Sequence, residues 1–458
     1  MSDVGGLLFV NFCFFAAGAG VTALCGWWAG LRELWRSLGV SYLAGLAAFG
    51  VIAQTMYALG ASMNRSQVIT VCAIPAAGVL FGLSRSAQSS SSERVQYQWL
   101  GAAAAAMLGL IAVDLWYQPL WAFDSWTFWT PKAHALYALG GLNANWFTSA
   151  TLANRDYPIL LPSIEAAGFR FTGYEARLLD LQSWLVFVAF LRTIYEIAAP
   201  RAHALVIWAT IAMLVAAPSI ADQLAAAEAD IPVAAMAATA GLCGYVWLSD
   251  RRRRYLVVTA VLGAGASATK VEGLVFTLSL FAALAITASL SRRPNRSLEP
   301  LAAAVVAIAA GVVPWQLWLG SHDIATQASL SRSADVVFLL DHAGRLPIAV
   351  SYLLAKLLDP RAWLLLVPFA CFVAVTARRC QRQQVTFALL YVALAFLGLV
   401  LAYWSTPLPF HYHLATSARR VVTGLVLFVA AITPLLAGRS SRESSTTSPE
   451  LRLSPPHI

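Results

Sequence analysis

The sequence predicts an all-α fold, a polytopic transmembrane helical bundle of about 13 membrane segments with interfacial amphipathic helices in its first long external loop. Of its 458 residues, 59% are hydrophobic and only 12% charged, and apolar runs repeatedly reach the length of roughly 20 residues that crosses a roughly 30 Å hydrocarbon core. Arginines fall on alternate loops between those runs. Three carboxylates, Asp124, Glu228 and Asp230, interrupt an otherwise apolar chain near segment ends, where partial loss of hydration calls for a chemical reason.

Taken in order, the segments lie at 5–27, 39–60, 67–84, 98–116, 178–199, 203–219, 231–249, 255–268, 273–290, 299–319, 361–377, 385–404 and 421–438. The first lacks a basic leader and a small-residue cleavage site, so it reads as a retained helix. Loop arginines then cluster at Arg32/Arg36, Arg85/Arg94, Arg201, 251–254, Arg292/Arg293/Arg296, Arg378/Arg379/Arg382 and Arg439/Arg442. By the positive-inside rule these loops are cytoplasmic. One missed or invented helix would throw every later cluster onto the wrong side, and none is thrown. The net charge of +9 therefore reflects orientation, and nucleic acid is excluded as a partner.

No long soluble domain is present on either side. Residues 1–97 supply additional N-terminal helices, 98–290 a core that includes the external loop 117–177, and 291–438 the C-terminal helices with their external loops. The serine-rich stretch 86–93 and the tail 439–458 read as flexible cytoplasmic segments. All six cysteines lie in or beside apolar segments without zinc or disulfide spacing, as small core residues do.

The external face collects the remaining ionisable groups. In loop 117–177, Asp124-Ser-Trp-Thr-Phe-Trp-Thr-Pro-Lys132-Ala-His134 has the spacing of a helix in the interface plane, with Trp121, Trp126 and Trp129 at headgroup level. Asp124 followed by serine would also serve as a simple helix cap. A second interfacial element runs from Asp156-Tyr157-Pro158 to about Arg170; both elements could instead be packing caps on the bundle.

Glu228 and Asp230, with one residue between them, would not share a helix face, so one points into the bundle and the other to water or a cap. Lys270 and Glu272 mark the turn of a helical hairpin; they either neutralise one another or leave Lys270 free to hold a phosphate. In the last external loop, 405–420, Arg419 and Arg420 stand against the orientation rule. Guanidinium forks there suit a bound anion, or lipid headgroups. His411 and His413 would ligate a metal only if their segment were extended, and no third ligand lies nearby.

With these residues in hand, the chain resembles the GT-C superfamily of membrane glycosyltransferases, in the branch of the lipid A aminoarabinose transferases, protein mannosyltransferases and related lipopolysaccharide-core enzymes. The resemblance rests on four elements in family order over about residues 98–290: Asp124-Ser-Trp-Thr-Phe-Trp-Thr-Pro-Lys-Ala, Arg155-Asp156-Tyr157-Pro158, Asp230-Ile-Pro, and Thr269-Lys270-Val-Glu-Gly273. Ser125 replaces the family's second acidic residue, and about three helices precede the first motif where many relatives have one.

The resemblance implies inverting transfer of a sugar from a polyprenyl-phosphate donor to a glycan, lipid or protein acceptor at the external face of a membrane, the bacterial inner membrane in this branch. It implies Asp124 as general base and Asp230 or Glu228 as a second acidic residue that orients the acceptor or a cation. Lys132, Arg155, Asp156, Tyr157, Lys270, Glu272, His411, His413, Arg419 and Arg420 would contact the substrates. No cofactor is certain, and a divalent cation is left open. A transporter or flippase of a lipid-linked glycan is the rival, expected to carry ionisable groups at mid-helix and repeated halves.

Overall fold

A computed structural model describes residues 3–85, 97–290, 298–324, 330–377 and 382–438. Among these residues every regular element is helical. Ten helices are long and apolar enough to cross a membrane, or up to 12 if each of two bent pairs is one span. This is the architecture expected of an integral membrane protein, because only helices and closed barrels satisfy their backbone polar groups inside lipid. The 86–93 stretch, the tail 439–458, Cys380 and the arginines at 94, 292, 293, 296, 378, 379, 439 and 442 lie outside the described residues.

Several segments differ from the sequence expectation. The 203–219 run is broken into Ala204–Ala216 and Pro218–Leu224, bent by 58°, where Pro218 cannot continue the preceding ladder. The 361–377 run is bent by 104° between Arg345–Trp363 and Leu366–Thr376, so part of the expected 320–360 loop is helical. Residues 405–420 are not a loop either: Phe410–Val421 is a helix and continues into Thr423–Ala437. Within 117–177, Thr130–Leu139 and Leu160–Thr172 are helical. Leu160–Thr172 is buried along most of its length, and Trp129 is buried while Trp121 and Trp126 are exposed. Its aliphatic and aromatic residues are covered by neighbouring helices, so this helix packs within the protein.

Several loops that the arginine alternation groups together are joined by contacts. At one end Arg201 pairs with Asp250 at 2.8 Å and donates to the Tyr255 hydroxyl at 2.9 Å. Arg254 donates to the Gly26 carbonyl, Arg251 to Gln383, and Arg192 to the Trp35 carbonyl. All of these come from, or border, loops that the arginine alternation puts on one side. The carboxylates, Lys270 and Arg420 gather elsewhere, with one another.

Helices approach closely where glycine removes the side chain. Arg253–Thr269 and Val271–Ser289 form an antiparallel hairpin, tied by Thr277 Oγ1 donating to the Gly263 carbonyl at 3.0 Å. A Cβ on Gly273 would lie 1.9 Å from the Ala266 carbonyl oxygen, a backbone atom that cannot swing aside. Gly273→Ala should therefore cost about 1–3 kcal/mol by overpacking. Gly109→Ala, with open space around its Cβ, should cost nothing. Melting of both variants in detergent checks this, and equal melting temperatures would remove the close approach.

Candidate functional site

Asp124 follows the Gln98–Tyr117 helix after a short irregular stretch. It does not act as a cap. Its backbone is already right-handed helical (φ −66°, ψ −32°), and a π-helical turn, Ser125–Trp129, follows before the Thr130–Leu139 helix. The wider turn is the kind of irregularity that recurs at functional sites. The Asp124 carboxylate accepts a hydrogen bond from Arg420 Nη2 at 2.8 Å.

Glu228 lies in the turn between Pro218–Leu224 and the Asp230–Asp250 helix. The expectation that Glu228 and Asp230 point apart fails, because it assumed helix through both. Ala227 has φ +47°, a left-handed conformation uncommon for alanine, which breaks the helical path just before Glu228. Both carboxylates are buried and both face Arg420: Glu228 accepts from its Nη1, and Asp230 lies 3.7 Å from the same nitrogen.

Lys270 occupies the break of the helical hairpin in fully extended conformation (φ −156°, ψ 159°). Its ammonium donates to Asp230 at 2.8 Å and lies 3.5 Å from Glu272. The two readings of Lys270 thus merge, since it neutralises Asp230 more closely than Glu272 and does so inside the site. Burial alone would lower its pKa, but Asp230 and Glu272 outweigh burial and push it up. Four carboxyl groups, Asp124, Glu228, Asp230 and Glu272, therefore meet two cations, Arg420 and Lys270.

That excess of negative charge falls on Glu228. Burial, then the neighbouring Asp230 and Asp124, raise its pKa to about 8 against the pull of Arg420 and Lys270. An unfolded glutamic acid near 4.5 releases its proton first, so between about pH 4.5 and 8 the folded state holds more protons than the unfolded one. Stability from this group is fully present at low pH and is lost as pH rises through that window. Glu228→Gln should flatten that fall in melting temperature, and an unchanged slope in the variant would assign the titration elsewhere.

The other sequence-predicted residues are placed differently. Lys132 is fully buried and donates to the carbonyls of Asn154 at 2.7 Å and Tyr157 at 3.0 Å, so it clamps the loop that carries Tyr157. Burial lowers its pKa to about 7, with Asp156 opposing. Arg155 donates to the Thr148 carbonyl at 2.7 Å, and the Asp156 carbonyl accepts from Trp315 Nε1 at 2.8 Å. The Tyr157 ring packs on Phe128 and Trp129, and burial, with Glu272 nearby, raises its hydroxyl pKa.

Arg419 turns away from Arg420 and meets Asp222 at 3.5 Å on the surface. His411 is exposed, whereas His413 faces inward and shares a hydrogen bond with Thr406 at 2.8 Å. Their segment is helical, and residues two apart on a helix diverge, so the metal pair that required an extended chain is not formed. Among the described residues no group of three or more His, Cys, Asp or Glu side chains is arranged to hold a metal ion.

The sequence reading missed Asp222 as the partner of Arg419, and it missed two buried carboxyls, Glu165 and Asp180. An acidic residue within the first turn of the Arg177–Ala198 helix was the available signal. Comparison of the chain with family models finds no match, and comparisons with curated proteins and with solved structures find none either.

Proposed function

We propose that this chain is a membrane glycosyltransferase of the GT-C type. It moves a sugar, with inversion, from a polyprenyl-phosphate donor to an acceptor hydroxyl at the external membrane face. The observation that carries this reading is the convergence of Asp124, Glu228 and Asp230 on Arg420, with Lys270 bonded to Asp230 beside them. Asp124, Asp230 and Lys270 belong to three of the four elements that carry the family resemblance, and Arg420 is one of the two arginines that depart from the orientation rule.

In the reaction the acceptor oxygen bonds to the anomeric carbon as the bond from that carbon to the phosphate oxygen breaks. Asp124 takes the acceptor proton, and polyprenyl phosphate departs with the bonding pair. Negative charge then grows on the phosphate, so cations aimed there stabilise the transition state more than the ground state. Arg420 and Lys270 are already paired with carboxylates, and the donor phosphate must compete for them. Two features favour that exchange: Glu228 holds a proton up to about pH 8, and Arg420 Nε–H has no acceptor among the described residues.

Purified protein in lipid vesicles, given radiolabelled polyprenyl-phosphate sugars and a membrane extract as acceptor source, should release free polyprenyl phosphate. Movement of the intact lipid between leaflets without release would replace this reading with the flippase.

A further inference from the structure

The family resemblance implies an acidic residue that orients the acceptor or a cation, and the clustered carboxylates are the groups that would hold such an ion. A divalent metal ion takes oxygen ligands whose lone pairs are turned to a common point. Asp124, Glu228 and Asp230 do converge on one point, but a guanidinium fills it. Asp124 Oδ2 accepts from Arg420 Nη2 at 2.8 Å, Glu228 Oε2 accepts from Nη1, and Asp230 Oδ2 lies 3.7 Å from the same Nη1. The other Asp230 oxygen accepts from Lys270 Nζ at 2.8 Å, so both of its oxygens face protein cations. A divalent ion set among these oxygens would stand beside two cations whose like charge repels it. The residues as arranged do not fit one.

We propose that Arg420 is a built-in cation: its guanidinium occupies the position at which these carboxylates would otherwise bind a divalent metal ion, and it joins their chain segments as a bound ion would. The two terminal nitrogens of one side chain reach all three carboxylates. Glu228 and Asp230 are almost wholly buried, so water cannot compensate their charge and a cation has to stand with them in the folded chain. Arg420 lies 296 residues from Asp124 and 192 from Glu228 in sequence, so it ties together segments that nothing local connects. A planar fork with five donors suits that task, because its nitrogens point in fixed and different directions. In one respect it differs measurably from a metal ion: its charge is covalently attached to the Phe410–Val421 helix, and no chelator removes it.

None of this depends on sugar transfer, so the test uses no substrate. Full-length protein in detergent is titrated with Mn²⁺, the free ion is read by its electron paramagnetic resonance signal, and melting is followed in Mn²⁺ and in EDTA. Wild type should show no saturable uptake and the same melting temperature in both. Arg420→Ala leaves Asp124, Glu228 and Asp230 with only Lys270 beside them. It should take up about one Mn²⁺ per chain, an ion that carboxylates suit, and melt higher in Mn²⁺ than in EDTA. Adding Asp124→Asn and Glu228→Gln to Arg420→Ala should weaken that uptake by about tenfold or more, since losing even a group that only orients a metal ligand costs that much.

Arg419→Ala removes the neighbouring arginine and frees only the exposed Asp222, so it should behave as wild type. Saturable Mn²⁺ uptake by wild type that Asp124→Asn abolishes would overturn the proposal, because metal and guanidinium would then share the site. No uptake by Arg420→Ala, equal uptake by Arg419→Ala, or uptake that survives the two added neutralisations would each overturn it as well. If Arg420→Ala does not accumulate, Arg420→Gln is judged by the same outcomes. Glutamine removes the charge, and its amide oxygen can join the ligands of the ion.

Discussion

Arg420→Met is expected to destabilise the protein by about 3 kcal/mol, the lower end of the cost of stripping one partner from a buried ion pair. The guanidinium holds Asp124, Glu228 and Asp230 together, and the last two are almost wholly buried. Without it three carboxyls face one another with only Lys270 nearby. The cost stays at the lower end because Arg420 is about one-fifth exposed and Glu228 can take up a proton. Arg420→Lys should recover little, since an ammonium is a point charge and cannot span two carboxylates as a fork does.

Adding Asp124→Asn and Glu228→Gln to Arg420→Met should regain part of the loss, because the cycle then removes the charges that were orphaned. Arg419→Met is the contrast. Its pair with Asp222 is exposed on both sides and should be worth less than about 1 kcal/mol. Melting in detergent decides both. A melting temperature of Arg420→Met equal to wild type would mean that the cluster does not hold these segments together.

The apolar helices were legible because span length and hydropathy are properties of short segments read one at a time. Arg201 meets Asp250, Arg251 reaches Gln383 and Arg254 the Gly26 carbonyl, and the hairpin does turn at Lys270. What the sequence concealed depends on backbone geometry and on distant partners. Glu228 and Asp230 seemed to diverge because a helix was assumed through Ala227, whose positive φ no propensity announces.

Arg420 stood out as an arginine on the wrong side, but its role as a hub for residues nearly 300 and 200 positions away is a matter of tertiary packing. Residues 405–420 read as a loop because two prolines and four cationic or imidazole groups dilute their apolar pattern. The helix forms because Phe410, Leu414, Ser417 and Val421 share one buried face. Lys132 and Arg155, read as substrate contacts from their motif positions, spend their donors on loop carbonyls, a use that composition does not distinguish from binding.

Asp124→Asn should lower kcat by roughly 10²–10⁴ while leaving the fold intact, and this result separates the three clustered carboxyls from one another. Asparagine has nearly the same shape and keeps an oxygen for Arg420 Nη2, so the constraint on the surrounding segment survives. The lost property is the capacity to accept the acceptor's proton. Because that proton moves only in the transition state, kcat and kcat/KM should fall together, with KM for the donor nearly unchanged.

Glu228→Gln gives the opposite expectation at pH 7. Glu228 already carries a proton below about pH 8, so glutamine imitates its resting state, and turnover should fall less than about tenfold. Asp230→Asn should fall between them by a different route, since it loosens Lys270 from its closest partner and so misplaces the cation proposed to meet the departing phosphate. The ordering is the decisive feature. If Glu228→Gln abolished turnover and Asp124→Asn left it intact, the base would have to be reassigned to Glu228, acting only in its deprotonated fraction, and activity would then climb steeply toward pH 8. A flat pH profile together with an inactive Asp124→Asn enzyme would keep Asp124 as the base and leave Glu228 as the proton holder that spares Arg420 for phosphate.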